Sequence, residues 1–203
     1  MSKKGCIILD LDQTLISAEP TDEYDLKSPD NKKKAKHFRF HDMDGYYIVF
    51  ERPGLQDFLT YIFDNFNVSV WTAASKDYAL FIIDKILLAG NSNRKLDYIF
   101  FSYHCDISNK LKKGSKDLTL LWDTFSLPEF SKDTTFILDD YDEVQKLQPR
   151  NCIAAVPFHA TKEESEKDDF LGKLQTQLRE IKERLERGKP IGKILKRTQK
   201  QKQ

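Results

Sequence analysis

An apolar run ends in two aspartates one residue apart: Ile7-Ile8-Leu9-Asp10-Leu11-Asp12-Gln13-Thr14-Leu15. It reads as a buried strand, and on leaving such a strand both carboxylates can project over the sheet's carboxyl edge, where open α/β sheets bind ligands. Two close carboxylates repel, so the pair calls for a cation, a shared proton or both. A hard divalent ion such as Mg²⁺ suits oxygen ligands of this kind. The plainer alternative is a turn that caps the strand. That alternative weakens at Thr134-Thr-Phe-Ile-Leu-Asp139-Asp140, a second apolar run ending in paired aspartates. If the two strands are adjacent, four carboxylates meet at one edge, and each uncompensated buried charge costs several kcal/mol. Four carboxylates at strand ends argue for a metal site.

Two other positions belong beside them. Val68-Ser-Val-Trp71-Thr72 places a hydroxyl at a strand end, where it can bind a phosphate oxygen or cap the next helix. Lys116, in Gly114-Ser-Lys-Asp-Leu, is an ordinary surface lysine unless the carboxylates are its company. His104 beside Cys105 reads as structural, and no arginine-rich phosphate loop surrounds Cys105 to make it a nucleophile.

These residues need elements to position them. Short apolar runs at Cys6–Leu9, Asn67–Trp71, Asp97–Phe101, Thr134–Leu138 and Asn151–Val156 suit buried strands. Between them lie helical patterns. One is opened by Pro53, another spans 76–89 and is closed by Gly90, and a third is announced by a Thr161/Glu164 capping box. The third carries the stripe Phe170, Leu171, Leu174, Leu178, Ile181 and Leu185, read as one helix docking on its own domain rather than as a coiled-coil seam. The alternation predicts an α/β fold: a doubly wound, mainly parallel central sheet with helices on both faces. His37–Phe40 and Tyr46–Phe50 flank an Asp-Gly turn and predict a small β-hairpin insertion after the first strand. The segment 19–36, charged and holding Pro20 and Pro29, reads as a mobile surface loop.

Composition sets the limits. The 203 residues, with 39% hydrophobic and 12% aromatic content, suit a single folded domain over 1–186, with its insertion at about 19–51. Net charge is only +1, so the whole chain is not a polyelectrolyte binder of nucleic acid or membrane. The charge is uneven: 187–203 holds seven Lys/Arg and no acid. That basic tail reads as solvated and flexible, or as an attraction to acidic partners, nucleic acid or a localisation receptor. Three scattered cysteines without a CxxC pair fit a reducing compartment, and no apolar run approaches a membrane span or a signal peptide. A soluble intracellular protein, nuclear or cytoplasmic, is expected.

The ordered set Asp10-Leu-Asp-Gln-Thr14-Leu, Arg52-Pro-Gly, Trp71-Thr-Ala-Ala, Lys116-Asp-Leu and Asp139-Asp140 resembles the haloacid dehalogenase (HAD) superfamily. More narrowly, it is similar to the FCP/SCP-type (NLI-interacting-factor-like) phosphatases of the RNA polymerase II C-terminal domain, over about residues 5–158. The resemblance implies a Mg²⁺-dependent phosphoserine/phosphothreonine protein phosphatase with an aspartyl-phosphate intermediate. Asp10 is then the nucleophile and Asp12 the general acid and base. Mg²⁺ is held by the Asp10 carboxylate, the Asp12 backbone carbonyl and Asp140, while Asp139 orients a metal-bound water or Lys116. Thr72 and Lys116 bind the phosphate. Neither the 38 residues between Thr14 and Pro53 nor the 43 between Thr72 and Lys116 hold a large cap domain. An open site suits a phosphorylated protein or peptide, such as the polymerase's C-terminal domain with its Ser-Pro units. In similar proteins an apolar pocket takes the proline; Phe38, Phe40, Tyr47, Val49 and Tyr78 are its counterparts, unless these aromatics only pack the hairpin. Phe101-Ser102-Tyr103-His104-Cys105 departs from the family, which commonly carries an arginine before the matching cysteine. The alternatives are a phosphatase on nucleic-acid ends or small phosphoesters, or a catalytically silent docking module.

Overall fold

The computed structural model describes residues 4–192. Five strands form the central sheet: β1 (Cys6–Leu9), β5 (Asn67–Trp71), β6 (Leu96–Phe100), β7 (Thr135–Asp139) and β8 (Cys152–Ala154). They are all parallel, in the order β6-β5-β1-β7-β8. Because β1 lies at the centre and is covered on both faces, all four of its residues are buried, which explains its unbroken Cys-Ile-Ile-Leu run. The strand pleat divides them: Ile7 and Leu9 enter one core, Cys6 and Ile8 the other.

The first core is covered by α2 (Leu55–Asn65), α3 (Lys76–Ile82) and α6 (Phe170–Glu186). The second lies under α4 (Ser102–Leu111), α5 (Asp142–Leu147) and the π-helical turn Leu120–Thr124. On α6 the side chains of Leu171, Leu174, Leu178, Ile181 and Leu185 are buried, and the helix packs on α2. At about 1.5–3 kcal/mol for each such side chain, the stripe is spent inside its own domain.

The insertion is larger than a hairpin. It holds β2 (Ile16–Pro20), α1 (Pro29–Ala35), β3 (Phe40–Met43) and β4 (Tyr47–Glu51), with an antiparallel sheet in the order β2-β4-β3. Asp44 and Gly45 both take positive φ in the turn closed by the Tyr46 N–H on the Met43 carbonyl, which matches the right-handed twist of the strands. The expected mobile loop at 19–36 is therefore corrected. Pro20 ends an edge strand, Pro29 opens α1, and Tyr24 and Ala35 are buried in a small core with Ile48, Phe50 and Phe158.

Three helix signals also read differently in the structure. Pro53 and Gly54 form a tight turn, with Gly54 at φ +77° and the Leu55 N–H donating to the Arg52 carbonyl, so α2 begins at Leu55. Thr161 and Glu164 cap nothing long: Glu164 itself has φ +58°, a short 3₁₀ turn follows, and α6 starts only at Phe170. The helix at 76–89 begins as expected, but Ala89 already turns left-handed before Gly90. The polar helix α4 buries only Cys105 and Ser108, too weak a stripe to be read from periodicity. The basic tail falls mostly outside the described residues, although Ile191 is buried and its N–H donates to the Asp133 carbonyl.

Arg52 ties the insertion to the domain. Its guanidinium grips Asp168 in a bidentate pair at 2.8 and 2.8 Å, donates to the Thr14 carbonyl at 3.0 Å, and lies over the rings of Phe158 and Phe170. One fully buried side chain thus joins the loop after β1 to the start of α6. Arg52→Lys keeps the charge but loses the fork. Arg52→Ala leaves the Asp168 carboxylate with only the Phe170 N–H and the Thr14 carbonyl without its donor, and is expected to lower unfolding free energy by about 3 kcal/mol in urea denaturation. A loss under about 1 kcal/mol contradicts this role.

Candidate active site

The strand register assembles the site. Leu9 of β1 lies opposite Leu138 of β7, and the Asp10 N–H donates to the Leu138 carbonyl at 3.0 Å, so Asp10 emerges beside Asp139 and Asp140. Oxygens of Asp10, Asp139 and Asp140 lie within 4.8 Å of one another. Past Asp10 the chain turns sharply. The Leu11 carbonyl accepts from the N–H groups of Thr14, Leu15 and Ile16, Gln13 adopts φ +57°, and Leu11 and Leu15 are buried as anchors. This tight loop turns Thr14 back onto the carboxylates, where its hydroxyl lies 3.2 Å from Asp10 Oδ2 and 3.0 Å from Asp140 Oδ1.

Lys116 is the cation of the cluster. Its Nζ donates to Asp10 Oδ1 at 2.6 Å and to Asp139 Oδ2 at 2.7 Å, and it is almost fully buried. Burial alone favours the neutral amine, but Asp10 and Asp139 outweigh it and hold the lysine above its usual range, as a cation. No strand or helix carries Lys116, so side chains fix its backbone. Gln148 donates to the Lys116 carbonyl and accepts from the Leu118 N–H, while Ser108 of α4 accepts from the Asp117 N–H. Asp139 is further fixed by the Tyr141 N–H at 2.9 Å.

Asp12 stands apart from this ionic triad. The Tyr78 hydroxyl, presented by α3, donates to its Oδ1 at 2.5 Å. Burial, with added repulsion from Asp10 and Asp140, pushes the Asp12 carboxyl up to about 6, against lowering by Tyr78 and Lys116. Burial and Asp10 also raise Asp139 and Asp140. Burial and Asp12 together push Tyr78 well above the usual phenol range, so it remains a donor. A lysine held as a cation between two carboxylates, beside one carboxyl balanced between its two forms, is an arrangement suited to nucleophilic attack with proton transfer.

Thr72, beyond β5, is buried; its N–H donates to the Phe100 carbonyl and its hydroxyl accepts from the Ala74 N–H at 3.1 Å. The five pocket candidates do not converge. Tyr47 and Val49 share one face of β4, with Val49 fully buried in the main core, whereas Phe38 and Phe40 stack on Phe50 of the opposite face. Val49 therefore has no surface to offer a peptide. Only Tyr47 and Tyr78 pair, edge to face at 5.7 Å, next to Asp12. Sequence reasoning missed the Tyr78–Asp12 bond and the Ser108 and Gln148 supports, which no local pattern announces.

A buried lysine bridging Asp10 and Asp139, with Asp140 and the Thr14 hydroxyl beside them at the carboxyl edge of a parallel sheet, makes this edge the candidate active site of a HAD-type fold. Sequence comparison carries this to the family. The model of the NLI interacting factor-like phosphatases matches residues 5–187. The CTD phosphatase-like protein 355R of Invertebrate iridescent virus 6 is 45% identical over 173 residues, covering 83% of this chain and 94% of the viral protein. Its counterpart in Invertebrate iridescent virus 3 is 41% identical over 190 residues, covering 89% and 98%. The chain belongs to the NLI interacting factor-like phosphatases and is a phosphoprotein phosphatase, which sets aside the silent docking module. Among solved structures, Fcp1, an essential RNA polymerase II CTD phosphatase, shares the fold with a TM-score of 0.54 at 21% identity. The match covers 90% of this chain but half of that one. No helix among the described residues is long and apolar enough to cross a membrane.

The folded-state value near 6 for Asp12 exceeds its ordinary 3.8, so its contribution to stability is present below about 4 and lost as pH rises through 6. In EDTA, Asp12→Asn is expected to be more stable than wild type by about 2 kcal/mol at neutral pH. The difference should vanish near pH 4 in thermal melts. A difference that does not change with pH contradicts the assignment.

Proposed function

We propose that this chain is a Mg²⁺-dependent phosphoserine/phosphothreonine phosphatase that works through an aspartyl-phosphate on Asp10. The observation that carries the reading is the buried Lys116 bridging Asp10 and Asp139, with Asp140 in the same cluster. The donor set fits a hard divalent ion: it is all oxygen, and four carboxylates face one lysine. Asp10, Asp140 and the Asp12 backbone carbonyl would hold Mg²⁺, with Asp139 behind them. Bound there, Mg²⁺ supplies positive charge that draws the phosphoryl dianion toward the carboxylates and withdraws charge as the bonds exchange.

The residues of the chain divide the remaining work. A carboxylate oxygen of Asp10 attacks phosphorus in line, forming an Asp10–phosphoryl bond as the bond to the substrate oxygen breaks. Asp12, protonated, gives its proton to the leaving alkoxide. Its carboxylate then takes a proton from the water that attacks the same phosphorus, releasing phosphate and restoring Asp10. A pKa near 6 suits both halves of the cycle. Lys116 and the Thr72 hydroxyl bind the phosphoryl oxygens, where the lysine meets charge moving outward from Asp10.

The small insertion supports a macromolecular substrate, because a three-stranded sheet and one short helix cannot close over the site. Tyr47 and Tyr78 offer a rigid aromatic wall next to Asp12, which fits the proline of a pre-extended Ser-Pro peptide such as a repeat of the RNA polymerase II C-terminal domain. The viral relatives and Fcp1 carry that substrate in their names, which is what brings it to this chain.

Hydrolysis of p-nitrophenyl phosphate is expected to require Mg²⁺, to stop with EDTA, and to fall at least about 10³-fold in Asp10→Asn. Asp12→Asn should lower kcat/KM, which reports the first phosphoryl transfer, far more for a phosphoserine-proline peptide than for the aryl phosphate, whose leaving group needs little protonation. Turnover that survives Asp10→Asn overturns the nucleophile. Equal losses in kcat/KM on both substrates overturn the general acid, and no preference for Ser-Pro over Ser-Ala peptides removes the proposed proline contact.

A further inference from the structure

A second concavity, with a volume of about 1160 Å³, lies away from the catalytic edge. Its walls come from the end of α4, the segment before β7 and the turn before β8, so it opens at the amino ends of those strands. Its apolar lining is mostly aliphatic: Leu111, Leu147 and Pro149, with Trp122 as its one aromatic. Leu111 is 54% exposed. Lys112, Lys113, Lys132 and Arg150 also line it, and among the described residues none of the four takes part in an ion pair. Two acids share the lining. The Asp117 carboxylate is already bonded by the N–H and hydroxyl of Thr119, which leaves Asp123 against four cations.

We propose that this groove docks an acidic, leucine-bearing peptide segment of a protein partner, with carboxylates on the four cations and aliphatic side chains on the floor. Charge complementarity selects the occupant. Unpaired cations beside exposed aliphatic surface attract a chain that brings both acids and apolar side chains. A single-stranded nucleic acid would want a series of stacking platforms, and the lining offers one indole. The protein's own terminus is a poor occupant. Gly192 lies against Arg150, where an added Cβ would come within 3.2 Å of the arginine's Cβ, and the eleven residues after it include five Lys or Arg. Seating them in the groove would place cations on cations. The groove backs onto the segment that carries Lys116, through Gln148 and Asp117, but the proposal does not rest on the chemistry of the phosphatase site.

Fluorescence anisotropy with the full chain tests it. The probe is a labelled peptide of about twelve residues alternating Asp or Glu with Leu, long enough to cross the groove. It is compared with its Asn/Gln counterpart and with an oligothymidylate. Saturable binding of the acidic peptide is expected, weakening at least about fivefold in Lys132→Glu and in Arg150→Glu, and again at high salt. Gln148 and Asp117, which flank Lys116, share the lining, so p-nitrophenyl phosphate hydrolysis and thermal melts of both variants are measured alongside and should match wild type. Tight binding of the neutral peptide, or acidic-peptide binding that either reversal leaves unchanged, overturns the proposal. Binding of the oligothymidylate in place of the peptide assigns the groove to nucleic acid and overturns it equally.

Discussion

Mutual repulsion among four aspartates at one sheet edge is the constraint on which this structure turns. Asp10 and Asp139 are buried side by side because their strands are parallel neighbours in register, and like charges so placed do not persist without a partner. Lys116 is that partner within the chain, reaching both carboxylates at 2.6 and 2.7 Å. One cation against four carboxylates leaves the cluster electronegative. It therefore has a standing demand for a further cation, and that demand is what a phosphatase uses to draw in metal and phosphate together.

Much of the surrounding structure serves to keep Lys116 and the loop of Asp12 in place. Lys116 sits on an irregular segment, held by Ser108 from α4 and Gln148 from beyond α5, so both helices of the second core bear on the ion pair. On the other face, Arg52 fastens the loop after β1 to the start of α6, and Tyr78 holds Asp12 from α3. The carboxylates that Lys116 bridges stand at strand ends, where register is fixed by the ladder, whereas Asp12 sits on a loop held by its neighbours. Under the proposed mechanism, that division gives Asp10 and Asp12, two residues apart, different neighbours for their different tasks.

The strands that carry Asp10, Thr72 and Asp139 were legible because a doubly covered parallel sheet writes itself as unbroken apolar runs, and their ends are within a residue of where the runs stop. The carboxylates could be paired from sequence because the chemistry of crowded acids is independent of detailed geometry. The insertion was harder. Its charged α1 and edge strand β2 bury few side chains, so composition resembled a loop, and the face that each aromatic presents followed from a register the sequence does not print. Hence Val49 looked like pocket and is core, while Tyr78 looked like pocket and also bonds the acid. Gln148 and Ser108 carry no signature at all, since long-range hydrogen bonds to backbone leave no local pattern.

The central claim is that phosphorus becomes bonded to Asp10. Mass spectrometry of Asp12→Asn, quenched in acid during turnover of an aryl phosphate with Mg²⁺, measures this directly, because loss of the base slows release of the intermediate. The account predicts a phosphoryl adduct that maps to the peptide containing Asp10, and is absent from an Asp10→Asn/Asp12→Asn double variant. A phosphoryl group on any other residue, or steady turnover with no adduct at any time, would contradict it.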